Sequence, residues 1–216
     1  MHRFAGVLVV AFVLSAGSGD VRADAVEDEF AGVTWQSLFD GRTLDGWEVR
    51  SGFAKYHVED GAIVGSNVSS DPRHGLLISK RPYGDFTVDL KFKAVKGNSG
   101  LYFRAERVAG SVGVHGSQAE IDASKDVGGL YETGGRAWVV QPSPEDVKTW
   151  FKPGQWNRMT VSAHGRRIVV HVNGKKSAEL IDDPGRLEGY LGMQLHGSQD
   201  VEVQFKDIRM LMPQKR

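Results

Sequence analysis

Three short segments carry the side chains that could do chemistry: LYFRAE (Leu101 to Glu106), QAEIDAS (Gln118 to Ser124) and GMQLHG (Gly192 to Gly197). Each alternates apolar and polar residues, as β-strands do, because successive side chains of a strand lie on opposite faces. The apolar residues predicted to face a core are Leu101, Phe103, Ala119, Ile121, Met193 and Leu195. The polar residues predicted to share the other face are Tyr102, Arg104, Gln118, Glu120, Gln194 and His196, with Asp122 beside them. We interpret this polar face as the functional site; the alternative is an ordinary solvated sheet face.

The strands that must position these residues recur along the whole chain with glycine-containing turns between them. Asp60-Gly61 and Asn173-Gly174 lie between alternating runs and predict two-residue hairpins. One short helix is predicted near Ser143, with Pro144 at its first position and Asp146 completing the cap. Apolar parity changes within the last strand, which predicts a bulge near Lys206 and Asp207. This pattern indicates an all-β fold, an antiparallel β-sandwich or jelly roll.

Composition limits the classes of function. The 216 residues contain 27 basic and 27 acidic side chains and no cysteine, which disfavours nucleic-acid binding and excludes disulfides and thiolate metal sites. Residues 1–23 have a basic start, an apolar run and a Val21-Arg22-Ala23 ending, as expected of a secretory signal peptide. We therefore expect residues 24–216 to form one mature domain, periplasmic or secreted, without a membrane span.

Glycine and aromatic residues complete the prediction. The cluster GGLYETGG at Gly128 to Gly135 lacks the spacing of a phosphate-binding loop and is interpreted as a loop beside the site. Sugars stack on aromatic rings, and the candidates for this are Tyr102, Tyr131 and Trp138. By contrast, Trp35, Trp47 and Trp156 are predicted to pack in the core.

The remaining histidines of residues 24–216, namely His57, His74, His115, His164 and His171, are predicted to be surface or turn residues.

The carboxylates of QAEIDAS test one class of enzyme. Laminarinase-type glucanases carry Glu-x-Asp-x-Glu on one strand of a similar sandwich, and retaining hydrolysis needs two carboxyl groups about 5–5.5 Å apart. Here Glu120 and Asp122 fit the first two positions, but the third is Ser124. A conventional glucanase is therefore the weakest of the alternatives.

Short motifs follow one another in order along almost the whole mature chain: SLFDGRTLDGWE (Ser37 to Glu48), VEDGAIVG (Val58 to Gly65), YGDFTVDLKFK (Tyr83 to Lys93), GNSGLYFRA (Gly97 to Ala105), QAEID (Gln118 to Asp122), GLYETGGRAW (Gly129 to Trp138), WN (Trp156 and Asn157), VNG (Val172 to Gly174), GMQLHG (Gly192 to Gly197) and FKDIRM (Phe205 to Met210). In this ordered set of motifs the chain resembles the 3-keto-disaccharide hydrolase family, a domain long without known function that has a concanavalin A-like lectin/glucanase fold. The resemblance implies cleavage of glycosides whose C3 hydroxyl has been oxidised to a ketone by an upstream sugar 3-dehydrogenase.

Such a substrate needs a base, a group that stabilises an enolate and a proton donor, because the C3 ketone acidifies the C2 hydrogen and elimination then expels the C1 substituent. His196 is the expected base, Arg104 the expected enolate-stabilising group, and Glu120 an acid or base. Tyr102, Gln118, Asp122, Tyr131, Trp138 and Gln194 are the expected substrate-binding residues. Hydrolysis and a stop at the unsaturated keto sugar are both consistent with these residues.

Two further questions stay open from the sequence. A divalent metal ion would suit an enediolate-like transition state, but no compact ligand motif such as HExxH is present, and no cofactor is indicated. The alternative from a different class is a non-catalytic carbohydrate-binding sandwich. The convergence of Arg104, Glu120 and His196 favours the enzyme.

Overall fold

The structure is a computed structural model that describes residues 34–50 and 53–212, and two antiparallel sheets form a sandwich within them. The strands are β1 (Gln36–Ser37), β2 (Trp47–Arg50), β3 (Lys55–Glu59), β4 (Ala62–Asn67), β5 (Gly75–Ser79), β6 (Phe86–Lys96), β7 (Asn98–Arg107), β8 (Val114–Asp122), β9 (Leu130–Thr133), β10 (Ala137–Val140), β11 (Asn157–His164), β12 (Arg167–Val172), β13 (Lys175–Leu180), β14 (Tyr190–Leu195) and β15 (Val201–Leu211). Sheet I has the order β13-β12-β11-β6-β15-β4-β3, with β1 paired to β15. Sheet II has the order β10-β9-β8-β7-β14-β5-β2. The predicted all-β sandwich is confirmed.

The local turn signals are also confirmed. Asp60 and Gly61 have φ values of 49° and 73°, and Asn173 and Gly174 have 50° and 80°, as two-residue hairpin turns of this kind require. Helix α1 (Pro144–Trp150) begins after Ser143, whose hydroxyl accepts a hydrogen bond from the backbone N–H of Asp146. The register of β15 against β6 shifts between Lys206 and Arg209, at the predicted bulge.

The core lies between the two sheets. The six residues predicted for the apolar face are all fully buried in it, namely Leu101, Phe103, Ala119, Ile121, Met193 and Leu195. Trp47 is buried in the same core, and its indole N–H donates to the carbonyl oxygen of Leu38 at 2.8 Å. Trp35 and Trp156 do not belong to the core, so their prediction is wrong. Both rings are half-buried, with Arg209 over Trp35 and Lys206 over Trp156.

A bulge in β7 overturns one prediction for the polar face. Phe103 pairs with Ser117 and Glu106 with His115, so two residues of β7 stand opposite one residue of β8. Arg104, the first of these two, has a φ of 48°. Its guanidinium is buried and donates to Asp85 Oδ1 at 3.0 Å and to the carbonyl oxygen of Gly165 at 2.7 Å.

Arg104 therefore holds together two loops beside sheet I. Its guanidinium also donates to the carbonyl oxygens of Ala163 and Gly84. Because the bulge breaks the alternation, the expectation that Arg104 lies beside Glu120 is wrong. The predicted signal peptide, residues 1–23, lies outside the described residues. Within the part that the structure describes, no helix is long and apolar enough to cross a membrane.

Candidate functional site

A cleft of about 460 Å³ opens on the outer face of sheet II, over β7, β8, β9 and β14. Its lining combines carboxyl, amide, imidazole and aromatic side chains with one lysine. The lining residues are His74, Asn98, Val112, Gln118, Glu120, Asp122, Lys125, Asp126, Tyr131, Thr133, Trp138, Gln141, Gln194, His196 and Gln199. Small-molecule sites are usually concave and contain a few convergent polar groups, some of them with strongly shifted pKa values.

Glu120 is the most perturbed carboxyl group of the cleft. It is 4% exposed, and both oxygens accept hydrogen bonds from amides: Oε1 from Asn98 Nδ2, and Oε2 from Gln118 Nε2 at 2.7 Å. Burial raises the pKa of Glu120 to about 8; the nearby charges of Asp122 and Asp126 act in the same direction, and the amide bonds oppose them. Glu120 therefore holds a proton at neutral pH.

Two buried glutamines extend this network across the sheet. Gln118 Nε2 also donates to Gln194 Oε1 at 3.2 Å, and Gln194 Nε2 lies 2.8 Å from His74 Nδ1 and 3.1 Å from the Tyr102 hydroxyl. Tyr102 is fully buried beneath the cleft and shares a hydrogen bond of 2.8 Å with the Thr133 hydroxyl. Burial raises the pKa of Tyr102, so that phenol stays protonated.

His196 and His74 form a pair of imidazoles at the end of β14. Their ring centroids are 4.4 Å apart and the rings are tilted by 47°. The Nδ1 of His196 lies 2.6 Å from the carbonyl oxygen of Gly197. A carbonyl oxygen only accepts, so Nδ1 carries the proton and the neutral ring has its lone pair on Nε2. Burial lowers the pKa of His74 to about 4, and the charge of His196 adds to the effect, so His74 is neutral at physiological pH.

Asp122 shapes the turn at the mouth of the cleft. Its Oδ1 accepts hydrogen bonds from the backbone N–H and hydroxyl of Ser124, both at 2.8 Å, and from the N–H of Lys125 at 3.2 Å. Its Oδ2 is 3.4 Å from the same Asn98 amide nitrogen that bonds Glu120. The amide thus lies between the two carboxyl groups, and this arrangement does not present them on two sides of a substrate.

Tyr131 of β9 and Trp138 of β10 form the aromatic part of the lining. Their rings meet edge to face, with centroids 5.4 Å apart, and both side chains are half-buried. The segment Gly128 to Gly135, predicted as a loop beside the site, indeed borders the cleft, although it contains strand β9. A half-exposed aromatic surface beside polar groups is suited to the apolar face of a sugar ring.

The structure brings together most of the residues predicted from the sequence. Gln118, Glu120, Asp122, Tyr131, Trp138, Gln194 and His196 line the cleft, and Tyr102 lies directly beneath it. Arg104 lies outside the cleft, where it binds Asp85 and the carbonyl oxygen of Gly165. The cleft also contains His74, which was predicted to be a surface or turn residue, and Asn98 and Lys125, which were not singled out from the sequence. Asn98 had a signal, because it shares the strand parity of Tyr102 on β7.

A second cleft of the same volume lies on the outer face of sheet I and includes Trp35, Lys91, Arg158 and Asp207 in its lining. Its charges pair with one another: Lys91 with Asp207 at 2.9 Å, and Arg158 with buried Asp89 at 2.6 Å. We take the sheet II cleft as the candidate site because, among the residues that the structure describes, its perturbed carboxyl group contacts amides and no cationic side chain. Among the described residues, no group of three or more histidine or acidic side chains is arranged to hold a metal ion.

Comparison with known proteins agrees with the fold and identifies the family. The model of the 3-keto-alpha-glucoside-1,2-lyase-like domain matches residues 34–211. The chain belongs to this family. No curated protein matches it.

Three solved structures illustrate the range of proteins with this fold. A provisionally assigned glycosyl hydrolase from Parabacteroides distasonis is 22% identical, with a TM-score of 0.62 over 86% of this chain and 96% of that one. The carbohydrate-binding module CBM66 from Bacillus subtilis is 17% identical, with a TM-score of 0.59 over 77% and 96%. A Bacillus subtilis protein of unknown function with a galectin-like fold is 15% identical, with a TM-score of 0.58 over 78% and 90%. At these identities the likeness shows the fold alone.

Proposed function

We propose that this protein cleaves the glycosidic bond of 3-keto glycosides, such as 3-keto-disaccharides or 3-keto-glucosides, by elimination followed by addition of water. One observation carries the proposal: a carboxyl group that stays protonated at neutral pH shares a cleft with an imidazole whose Nε2 is an acceptor. These are the acid and the base that a ketone-assisted elimination needs. Membership of the 3-keto-alpha-glucoside-1,2-lyase-like family supports the substrate class.

In the proposed reaction, His196 Nε2 takes the C2 hydrogen, which the adjacent C3 ketone has made acidic. The electrons of the C2–H bond form an enolate, and the enolate then expels the C1 oxygen. Glu120 transfers to that leaving group the proton that it otherwise shares with the Gln118 amide. The product is an enone, to which water adds at C1. The order of acid and base is then reversed, with Glu120 taking a proton from water and His196 returning one to C2.

The enolate oxygen needs a donor or a positive charge nearby. Arg104 was the residue expected to stabilise the enolate, but the bulge in β7 removes it from the cleft. Lys125 is a cationic side chain that lines the cleft, on the turn ordered by Asp122, and its ammonium group is 3.4 Å from Asp126. We assign the enolate-stabilising part to Lys125, and sugar stacking to Trp138 and Tyr131.

The oxidation of C3 lies outside this reaction, so a sugar 3-dehydrogenase must supply the substrate. Residues 1–23 fit a secretory signal, and we place both steps in the periplasm or outside the cell. A non-catalytic carbohydrate-binding role is the second candidate. It is favoured by the half-exposed Tyr131 and Trp138 pair and by the fold shared with a carbohydrate-binding module.

The test uses a chromogenic 3-keto-β-glucoside and its unoxidised parent, each with and without a chelator, and follows aglycone release and enone absorbance. Release from the keto form alone supports ketone-assisted cleavage, and sensitivity to the chelator would add a metal ion. Release from the parent as well would return a conventional glycosidase to consideration. Binding of both sugars without release would favour the carbohydrate-binding alternative.

A further inference from the structure

A continuous row of hydrogen bonds joins the carboxyl group of Glu120 to the imidazole of His74. Gln118 Nε2 is 2.7 Å from Glu120 Oε2 and 3.2 Å from Gln194 Oε1, and Gln194 Nε2 is 2.8 Å from His74 Nδ1. Gln118 and Gln194 are each only 3% exposed, so water does not replace these bonds. Unpaired amide groups in such a place are costly, which makes each link depend on the next.

The amides of this row can each be rotated by half a turn without moving any other heavy atom, because the nitrogen and oxygen of an amide exchange places. Gln118 meets both Glu120 and Gln194 through one atom, and Gln194 meets both His74 and Tyr102 through one atom. The same Gln118 nitrogen lies 3.5 Å from the carbonyl oxygen of Ser99, a long contact that the reversed amide gives up. Reversing one amide therefore reverses the other. The Tyr102 and Thr133 hydroxyls follow either arrangement, since each can donate or accept.

Two arrangements satisfy every side chain of the row while Asn98 keeps its bond to Glu120 Oε1. With Glu120 ionised, Gln118 donates to it, Gln194 donates to His74 Nδ1, and the His74 proton is on Nε2. With Glu120 protonated, its O–H donates to Gln118, and both amides are reversed. Gln194 Oε1 then accepts from His74 Nδ1–H, so the lone pair of His74 is on Nε2. The bond from Asn98 to Glu120 Oε1 is the same in both.

We propose that Gln118 and Gln194 form a relay that ties the tautomer of neutral His74 to the protonation state of Glu120. When Glu120 is an acid, His74 Nε2 is an acceptor; when Glu120 is a carboxylate, His74 Nε2–H is a donor. The change releases one proton to solvent from Glu120. On His74 one proton leaves Nδ1 and another is taken up at Nε2, so the ring stays neutral.

The surroundings allow the two states to be reached within an ordinary pH range. Glu120 is influenced by the charges of Asp122 and Asp126, with Lys125 on the same side of the cleft. His74 is influenced by His196. Because burial raises the pKa of Glu120 to about 8 and holds that of His74 at about 4, the carboxyl group titrates while His74 stays neutral.

The consequence for recognition rests on the proposed function. The elimination uses Glu120 as an acid, and in that state His74 accepts hydrogen bonds. A sugar hydroxyl can satisfy an acceptor, whereas a ketone oxygen cannot. His74 therefore contacts a hydroxyl of the substrate, and the C3 ketone lies toward Lys125. In this reading Gln118 and Gln194 are positioning residues.

The experiment is a long-range ¹H–¹⁵N correlation spectrum of the imidazole nitrogens of the full mature protein, recorded from pH 6 to pH 10 without substrate. The His74 signals are identified by their loss in His74→Gln. We expect the ratio of the Nδ1–H to the Nε2–H tautomer to fall by at least about tenfold over this range. In Glu120→Gln the amide keeps donating to Gln118, and His74 should stay in the Nδ1–H form throughout.

The controls separate the relay from its neighbours. Gln194→Met removes the link and should abolish the pH dependence of the His74 tautomer ratio. Gln141→Met changes a glutamine that lines the cleft but bonds Asp126, and the pH dependence of the ratio should be retained in this variant. The pH dependence of the His74 tautomer ratio should also be retained in His196→Gln, a result that excludes His196 as its cause. A His74 tautomer that is constant in the wild type, or that still switches in Glu120→Gln, would overturn the relay. Since no turnover is measured, failure of the proposed activity would leave this result standing.

Discussion

The buried carboxyl group of Glu120 should make the stability of this protein fall as pH rises, and Glu120→Gln should remove that effect. The pKa of this group rises from an ordinary value of 4.5 to about 8. Between these values the folded state keeps the proton and the unfolded state loses it, so unfolding releases a proton. Stability is therefore complete below pH 4.5 and is lost progressively up to pH 8.

The magnitude follows from the size of the shift. Each pKa unit corresponds to about 1.36 kcal/mol, so the carboxyl group destabilises the wild type by about 3 kcal/mol at pH 7, about 4 kcal/mol at pH 8 and about 5 kcal/mol well above pH 8. Glutamine has nearly the same shape and cannot ionise. The free energy of unfolding of Glu120→Gln should thus exceed that of the wild type by these amounts, with little difference at pH 4.5.

Urea unfolding curves followed by tryptophan fluorescence at pH 5, 6, 7 and 8 measure this difference. Glu188→Gln is the matched control, because it makes the same chemical change at an exposed side chain, and its difference from the wild type should not depend on pH. A Glu120→Gln difference that is the same at pH 5 as at pH 8 would refute the assignment of a protonated Glu120 at neutral pH.

Four further predictions concern activity and structure. The kcat/KM for a 3-keto-β-glucoside should fall about tenfold per pH unit as pH rises through the Glu120 pKa of about 8, and Glu120→Gln should lose that limb; a rise instead would make Glu120 the base. His196→Gln should lower kcat by about 10²–10⁴ while sugar affinity measured by calorimetry is kept; unchanged turnover and affinity would remove His196 from the site. Arg104→Met should lower the free energy of unfolding by about 2–4 kcal/mol, because buried carbonyl groups lose their donor, with kcat of the folded enzyme unchanged; a loss of kcat at intact fold would return Arg104 to the chemistry. Trp138→Ala should raise KM by about tenfold with kcat retained. If the substitution lowered both substrate affinity and the free energy of unfolding, the ring would instead support the fold.

The sequence predicts the faces of the sandwich well where alternation is unbroken. In β8 and β14, every residue assigned to the core is buried in it, because a period of two leaves one choice once an apolar face must be covered. The bulge in β15 was also readable, since its apolar residues change parity there. The bulge in β7 was not, because Leu101, Phe103 and Ala105 keep one parity straight through it.

The β7 bulge lies at a close contact between segments that are distant in the sequence. Gly189 packs so closely on Arg104 that a Cβ at that glycine would lie 2.3 Å from the Arg104 carbonyl carbon. His74 was missed for a related reason. It follows a proline-containing loop with no local signal, and it reaches the site because Gly75 pairs with Leu195 in the register of β5 against β14. That register makes His74 and His196 neighbours, and a single sequence does not specify it.

The polar network beneath the cleft is difficult to explain as support for the fold. Its amides and carboxyl group are buried on the outer face of sheet II, outside the main core between the sheets, and they keep Glu120 in a state that weakens the folded protein above pH 4.5. Apolar residues of similar size would form a more stable layer there, as they do around Leu76 and Ile78 on the same face. A protein under selection for folding alone would be more stable with that replacement. A sugar-binding surface would gain little affinity from a desolvated carboxyl group that is already hydrogen-bonded to two amides. A proton held at neutral pH beside an imidazole acceptor is useful to proton transfer, and this is the reason to prefer the enzyme over the binding module.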